Sequence, residues 1–171
     1  MDKKGFTIPV RVIISLILSF VIISIFYLSW RKAEIGIAEN DVKRQINDAL
    51  SQLEILIASG NSRKVYNPSD LSGDRRKIDF FLSEKVDFVA FGFNPQKKDK
   101  IVGEGNCIFY KIKGKSEEVI WLNNIYFRKG IIEKDRWVTS NEGFMIKSGK
   151  YSLIFELVED IKGKKYILIY S

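Results

Sequence analysis

Acid–base and nucleophilic chemistry draws on a short list of side chains, and several of them are missing here. The chain has no histidine and one cysteine, Cys107. It therefore offers no Ser-His-Asp triad, no histidine base, no Cys/His zinc site and no internal disulfide. Cys107 opens the apolar run Cys-Ile-Phe-Tyr and reads as a small buried residue rather than a reactive thiolate. The carboxylates Asp79, Glu84, Asp87, Glu117, Glu118, Glu156, Glu159 and Asp160 fall mostly at strand ends or on outward strand positions. No two of them have a spacing that acid–base work requires, and all are expected to be solvated. Asp70-Leu-Ser-Gly-Asp74 lacks the alternating acids and closing glutamate of a calcium loop, and reads as a turn. Gly92 and Gly103-Glu-Gly105 match no phosphate-cradling pattern. The expectation is a non-enzymatic chain with no catalytic residue, no metal ligand and no cofactor, which acts through its surfaces.

Those surfaces are basic: Lys and Arg number 28 against 21 Asp and Glu, a net charge of +7. The lysines are spread along the chain without an Arg-rich helix or an RNA-reading aromatic motif, which argues against nucleic acid as a partner. A solvated surface attracted to anionic lipid or envelope polymer fits that distribution. The many aromatics between Phe80 and Tyr170 are expected as core and cross-strand pairs. Trp137, beside Arg136 on a short strand, is the one whose setting points to exposure. Asn67-Pro68-Ser69 has proline in the middle and is not a glycosylation acceptor.

The elements that position these groups begin with an apolar stretch. Val12 to Trp30 is 19 consecutive uncharged residues. As a helix it rises about 28 Å, which matches a hydrocarbon core of about 30 Å. Pro9 suits the first turn, Arg11 can snorkel to one interface, and Tyr27 and Trp30 sit where an aromatic belt belongs. The lipid bilayer is thus the first expected partner. Lys3, Lys4 and Arg11 before the span nearly balance Arg31 and Lys32 after it. The short basic start and the β-rich remainder decide the orientation: N-terminus in, head extracytoplasmic. The span is too long, and its end Phe-Tyr-Leu-Ser-Trp-Arg-Lys too bulky, for a cleaved secretory signal.

Beyond the span, Ile35, Ala38, Val42, Ile46, Ala49, Leu53 and Leu56 recur at intervals of three and four, one face of a continuing helix that Ser59-Gly60-Asn61 should stop. Two roles are open for this stripe: covering the chain's own head, and packing against helices of neighbouring subunits in a homo- or hetero-oligomer. From Gly60 the pattern changes to turns and short alternating runs. Strands are expected at 78–82, 86–93, 107–113, 118–127, 136–139, 144–147, 151–159 and 164–170, with 94–106 a basic loop, 130–135 a connection and Lys162-Gly163 the turn of a terminal hairpin. The fold class is α+β: a long N-terminal helix, transmembrane and then amphipathic, followed by an antiparallel β-sandwich-like head. The expected organisation is a candidate leader at 1–5, a transmembrane helix at 6–30, its amphipathic extension at 31–60 and an extracytoplasmic β-rich head at 61–171.

Lys3-Lys4-Gly5-Phe6-Thr7-Ile8, an unbroken apolar helix, an amphipathic continuation and a β head together resemble the type IV pilin superfamily, including archaeal pilin-like proteins with class III signal peptides. The motif covers the N-terminal third; the remainder is similar in architecture only. Val-Asp-Phe-Val-Ala-Phe-Gly-Phe, Cys-Ile-Phe-Tyr-Lys-Ile-Lys-Gly-Lys and the run from Lys147 to Asp160 also look like heads of uncharacterised archaeal membrane-anchored proteins. The pilin resemblance implies that a membrane prepilin peptidase cuts between Gly5 and Phe6, and that the helix then packs in a surface filament. One departure stands out: the family's glutamate five residues after the cleavage glycine is Val10 here, which favours a pilin-like or minor component over a major pilin. The alternative is an uncleaved single-pass anchor whose β head binds a ligand, an envelope polymer or a membrane partner.

Overall fold

The computed structural model describes residues 7–67, 69–70, 73–95, 102–133 and 136–171. The processing positions Gly5 and Phe6, and Lys97, Lys98 and Lys100 of the basic loop, lie outside the described residues. The chain divides into two compact units, Met1–Ile37 and Ala38–Ser171. The helix α1 (Thr7–Ser59) supplies residues to both.

In the first unit, the large apolar side chains from Val10 to Trp30 are exposed on every side of the helix, Phe20 at 67% and Phe26 at 70%. Among the described residues this is the one helix long and apolar enough to cross a membrane. The hydroxyls of Ser15, Ser19 and Ser24 donate to the carbonyls of Arg11, Ser15 and Phe20 at 2.9, 2.9 and 2.8 Å. Their hydrogen-bonding needs are thereby met without water. Where the apolar run stops, the Trp30 indole N–H donates to Glu34 Oε1 at 2.9 Å, and the Arg31 guanidinium stands 5.7 Å from the centre of the Tyr27 ring.

The second unit begins with the remainder of α1. Gly60 ends the helix: its N–H donates to the Leu56 carbonyl at 2.8 Å, and a Cβ at this position would lie 2.3 Å from the same oxygen. Only glycine fits so tight a stop. Among the described residues ten strands follow: β1 (Arg63–Lys64), β2 (Arg75–Leu82), β3 (Val86–Phe91), β4 (Cys107–Ile112), β5 (Glu117–Trp121), β6 (Phe127–Glu133), β7 (Arg136–Thr139), β8 (Phe144–Ile146), β9 (Gly149–Glu159) and β10 (Lys165–Tyr170). They form a six-stranded sheet in the order β1-β9-β10-β6-β7, with β2 also on β9, and a four-stranded sheet in the order β5-β4-β3-β8. The α+β class expected from the sequence is the one observed.

The smaller sheet is antiparallel throughout, as expected. The larger one is mixed, because β1 runs parallel to β9 and β10 parallel to β6. The β9–β10 hairpin expected at Lys162-Gly163 is present, with Gly163 at a φ of 78°. The single strand expected over 118–127 is instead two. The chain leaves β5 after Trp121, turns through Asn124 at a φ of 61°, and starts β6 at Phe127 in the other sheet. Asn tolerates this left-handed conformation, so the turn is cheap. β6 then runs through Gly130, where a connection was expected.

Four phenyl rings join the sheets. Phe80, Phe127 and Phe155 come from β2, β6 and β9 of the larger sheet, and Phe91 from β3 of the smaller. Phe91 meets them edge-on at centroid distances of 5.9, 5.4 and 5.9 Å, and all four are buried. Edge-to-face contacts of this kind add about 0.5–1.5 kcal/mol per pair to the burial itself. We expect Phe91→Ala to cost about 3–5 kcal/mol in urea denaturation of the full chain in detergent, the range for deleting a buried phenyl ring. Val119→Ala, at an exposed position of β5, should stay within about 0.5–1 kcal/mol of the parent.

Candidate functional site

The positions singled out for packing lie on α1. Ala38, Val42, Ile46, Ala49, Leu53 and Leu56 are buried within the single chain, and Ile35 is half-buried. In the second unit these six side chains are therefore covered by the chain's own head, the first of the two roles set out for the stripe. Its polar flank is tied down as well. The Gln45 side-chain amide donates to the Phe81 carbonyl at 2.9 Å and accepts from the Phe81 N–H at 2.8 Å. It thus pairs with the outer edge of β2 as a neighbouring peptide group would.

One turn earlier an ion network joins α1 to the smaller sheet. Glu39 is bonded to Lys115 and, at 2.7 Å, to Lys43; Lys43 reaches Glu118 at 3.2 Å, and the Tyr110 hydroxyl donates to Glu118. The bond from Lys115, followed by that from Lys43, holds the Glu39 carboxyl down at about 2, below its ordinary 4.5. Burial, and then Glu118, pushes the Tyr110 hydroxyl up to about 12, so it stays protonated and serves as a donor.

Glu156 overturns an expectation. Placed on the outward side of β9 and read as solvated, it is fully buried. Its carboxylate accepts from Arg63 Nε at 2.8 Å and Nη2 at 3.4 Å, from the Gly73 N–H at 2.9 Å and from the Tyr170 hydroxyl at 3.2 Å. Arg63, 3% exposed, also donates to the Trp137 carbonyl at 2.8 Å. The physical reason is that the outer face of the larger sheet is itself covered. Val158, Leu168 and Tyr170 form a second apolar cluster there, against which Val65 and Trp137 pack. Trp137, whose setting pointed to exposure, lies stacked on Tyr170 at 4.2 Å and 15°; Trp121, at 58%, is an exposed indole of the head. Burial, together with the adjacent Glu156, pushes the Tyr170 hydroxyl up to about 12. A carboxylate so enclosed and so fully engaged braces the fold and has no route to a substrate.

Of the remaining candidates, Glu117 accepts from the Asn94 side-chain amide at 2.6 Å through Oε1, while its Oε2 is buried without a hydrogen-bond partner among the described residues. Cys107 is buried, and burial pushes its thiol up to about 11, away from thiolate chemistry. Asp70 and Asp74 accept the backbone N–H groups of Lys64 and Asn61 at 2.8 and 2.9 Å, which makes them turn caps; Leu71 and Ser72 between them lie outside the described residues. Among the described residues no group of three His, Cys, Asp or Glu side chains is placed to hold a metal ion. Sequence reasoning missed an aromatic and basic cluster at the far end of the larger sheet. There Lys164 lies 4.0 Å from the Tyr126 ring centre and 2.6 Å from Glu104, while the Arg128 guanidinium lies 4.8 Å from the Tyr166 ring centre. The residues were legible; their meeting depends on β10 pairing with β6.

Two outcomes test this arrangement. Glu156→Ala strands a buried guanidinium and is expected to destabilise the fold by about 3–5 kcal/mol, whereas the joint change Arg63→Met with Glu156→Leu should recover most of that loss in a double-mutant denaturation cycle. Because the folded-state value of Glu39 lies below its ordinary one, its contribution is complete above about pH 4.5 and is lost as the pH falls toward 2. Acid titration of thermal stability should therefore fall less steeply across that window in Lys115→Met than in the parent. Comparison with protein-family models, with curated proteins and with solved structures returns no match to this chain.

Proposed function

We propose that this chain is a pilin-like, membrane-anchored surface protein without enzymatic activity, inserted with its N-terminus in the cytoplasm and its head outside, which acts through packing of α1 and contacts of the head. The observation that carries this reading is the helix surface between Val10 and Trp30. From Val12 onward it carries no charge on any side, it is exposed within its own chain, and the hydroxyls of Ser15, Ser19 and Ser24 are satisfied by the helix backbone. Such a surface is stable only in lipid or against other apolar helices. Hydrocarbon and a filament core both meet that requirement, and the Lys-Lys-Gly-Phe-Thr start is what favours the second after processing.

A second reading, a permanent single-pass anchor presenting the head to a ligand, an envelope polymer or a membrane partner, draws on Val10. A processed helix packed in a filament would leave the new terminal amine of Phe6 without the carboxylate partner that a glutamate at position 10 provides. Intact-mass measurement of the protein from its native membranes separates the two. A chain beginning at Phe6 is expected. A chain that keeps Met1, or begins at Asp2, in cells with active prepilin peptidase would reject processing and leave the permanent anchor.

A further inference from the structure

The head carries a lysine rim at one end. The β2–β3 turn closes through the Val86 N–H on the Ser83 carbonyl at 3.0 Å, and the β4–β5 turn through the Lys115 N–H on the Ile112 carbonyl at 3.0 Å. The two turns are joined, Lys113 N–H to the Lys85 carbonyl at 2.8 Å. The β8–β9 link is brought alongside by the pairing of Leu82 with Gly149 and of Phe81 with Lys150. Lys113, Lys115, Lys147 and Lys150 are exposed and Lys85 is half-exposed. Acids face the rim as well, most of them paired: Glu84 is exposed in the first turn, Glu39 is engaged by Lys43 and Lys115, Glu118 by Lys43 at 3.2 Å, Asp41 by Arg44 at 2.5 Å and by Gln45 at 2.8 Å, and Asp87 lies 3.8 Å from Lys111. Within this rim Phe81 is 56% exposed, with the Lys150 ammonium 6.0 Å from its ring centre, beside an open depression bordered by Ser83, Glu84 and Ser148.

This end of the head is also the one nearest in sequence to the apolar span. Lys115 bonds Glu39, and Gln45 bonds Phe81. Glu39 follows Trp30 by nine residues, with Arg31 and Lys32 between. Nine residues reach at most about 30 Å even when fully extended. A tether of that length keeps the effective concentration of the rim at the bilayer surface high.

We propose that this rim docks on anionic phospholipid headgroups of the membrane that holds α1, with the lysines meeting phosphate charge and Phe81 entering the interfacial layer. The proposal rests on the anchored reading above. Attraction of this kind acts within a Debye length, about 8 Å at physiological ionic strength, and weakens as salt rises. An aromatic ring flanked by lysines suits the boundary between headgroups and acyl chains.

The test uses the full chain in lipid nanodiscs. Ser148→Cys receives an environment-sensitive fluorophore, Cys107 being buried, and Lys162→Cys in the β9–β10 turn serves as the distant control. Quenching by headgroup-spin-labelled lipid is read in discs of phosphatidylcholine alone and in discs containing phosphatidylglycerol. Docking requires severalfold stronger quenching at position 148 in the anionic discs, its loss at raised salt and in Lys113→Glu with Lys150→Glu, and little change at position 162. Circular dichroism of each variant verifies the fold. Equal quenching in the two disc types, or equal quenching at the two positions, would overturn docking while leaving the anchor intact. Failure of the chain to enter discs would remove the anchored reading and docking together.

Discussion

Everything in the head depends on Phe91 reaching across from one sheet to the other. A four-stranded sheet and a six-stranded sheet each have an apolar face that is unstable in water, and neither can be buried without the other. Phe91 is the point where they meet, set edge-on among Phe80, Phe127 and Phe155. The close packing leaves room for nothing larger than hydrogen at Gly143, where a Cβ would lie 2.2 Å from the Phe93 ring and 2.6 Å from the Phe91 carbonyl. The chain passes between the sheets after β2, β5, β7 and β8, so the contact orders most of the fold at once.

The helical segment from Ala38 to Ser59 is then fastened to this sandwich by two kinds of contact with different physical roles. The apolar stripe supplies the burial energy. Gln45 supplies register, since an amide that both donates to the C=O and accepts from the N–H of one residue of β2 tolerates no slippage along the strand. It also occupies part of a strand edge that would otherwise be open to pairing with another chain. The Glu39 network adds charge pairing at a partly exposed boundary, where such pairs contribute modestly.

Glu156 shows how the outer face of the larger sheet was closed. A buried carboxylate is tolerable only with its oxygens engaged, and four donors from Arg63, Gly73 and Tyr170 meet that demand. The cost of enclosing the pair is offset by the apolar cluster of Val158, Leu168 and Tyr170 around it. The arrangement ties the segment after α1 to the last two strands, so the beginning and end of the head are held by one group.

Periodicity and composition by themselves determined the long helix, its stop at Gly60, the apolar surface of its first half, the stripe from Ala38 to Leu56 and most of the strands, because each is a local property of consecutive side chains. Alternation along β9 even marked Leu153, Phe155 and Leu157 as one face. Only the tertiary structure decided the parallel pairing of β10 with β6, the break after Trp121, the burial of Glu156, the stacking of a half-buried Trp137 on Tyr170, and the gathering of lysines at one end. An outward position on a strand is polar or buried according to what folds over it, and what folds over Glu156 comes from Arg63, 93 residues earlier in the chain. No local pattern carries that distance; three-dimensional closure does.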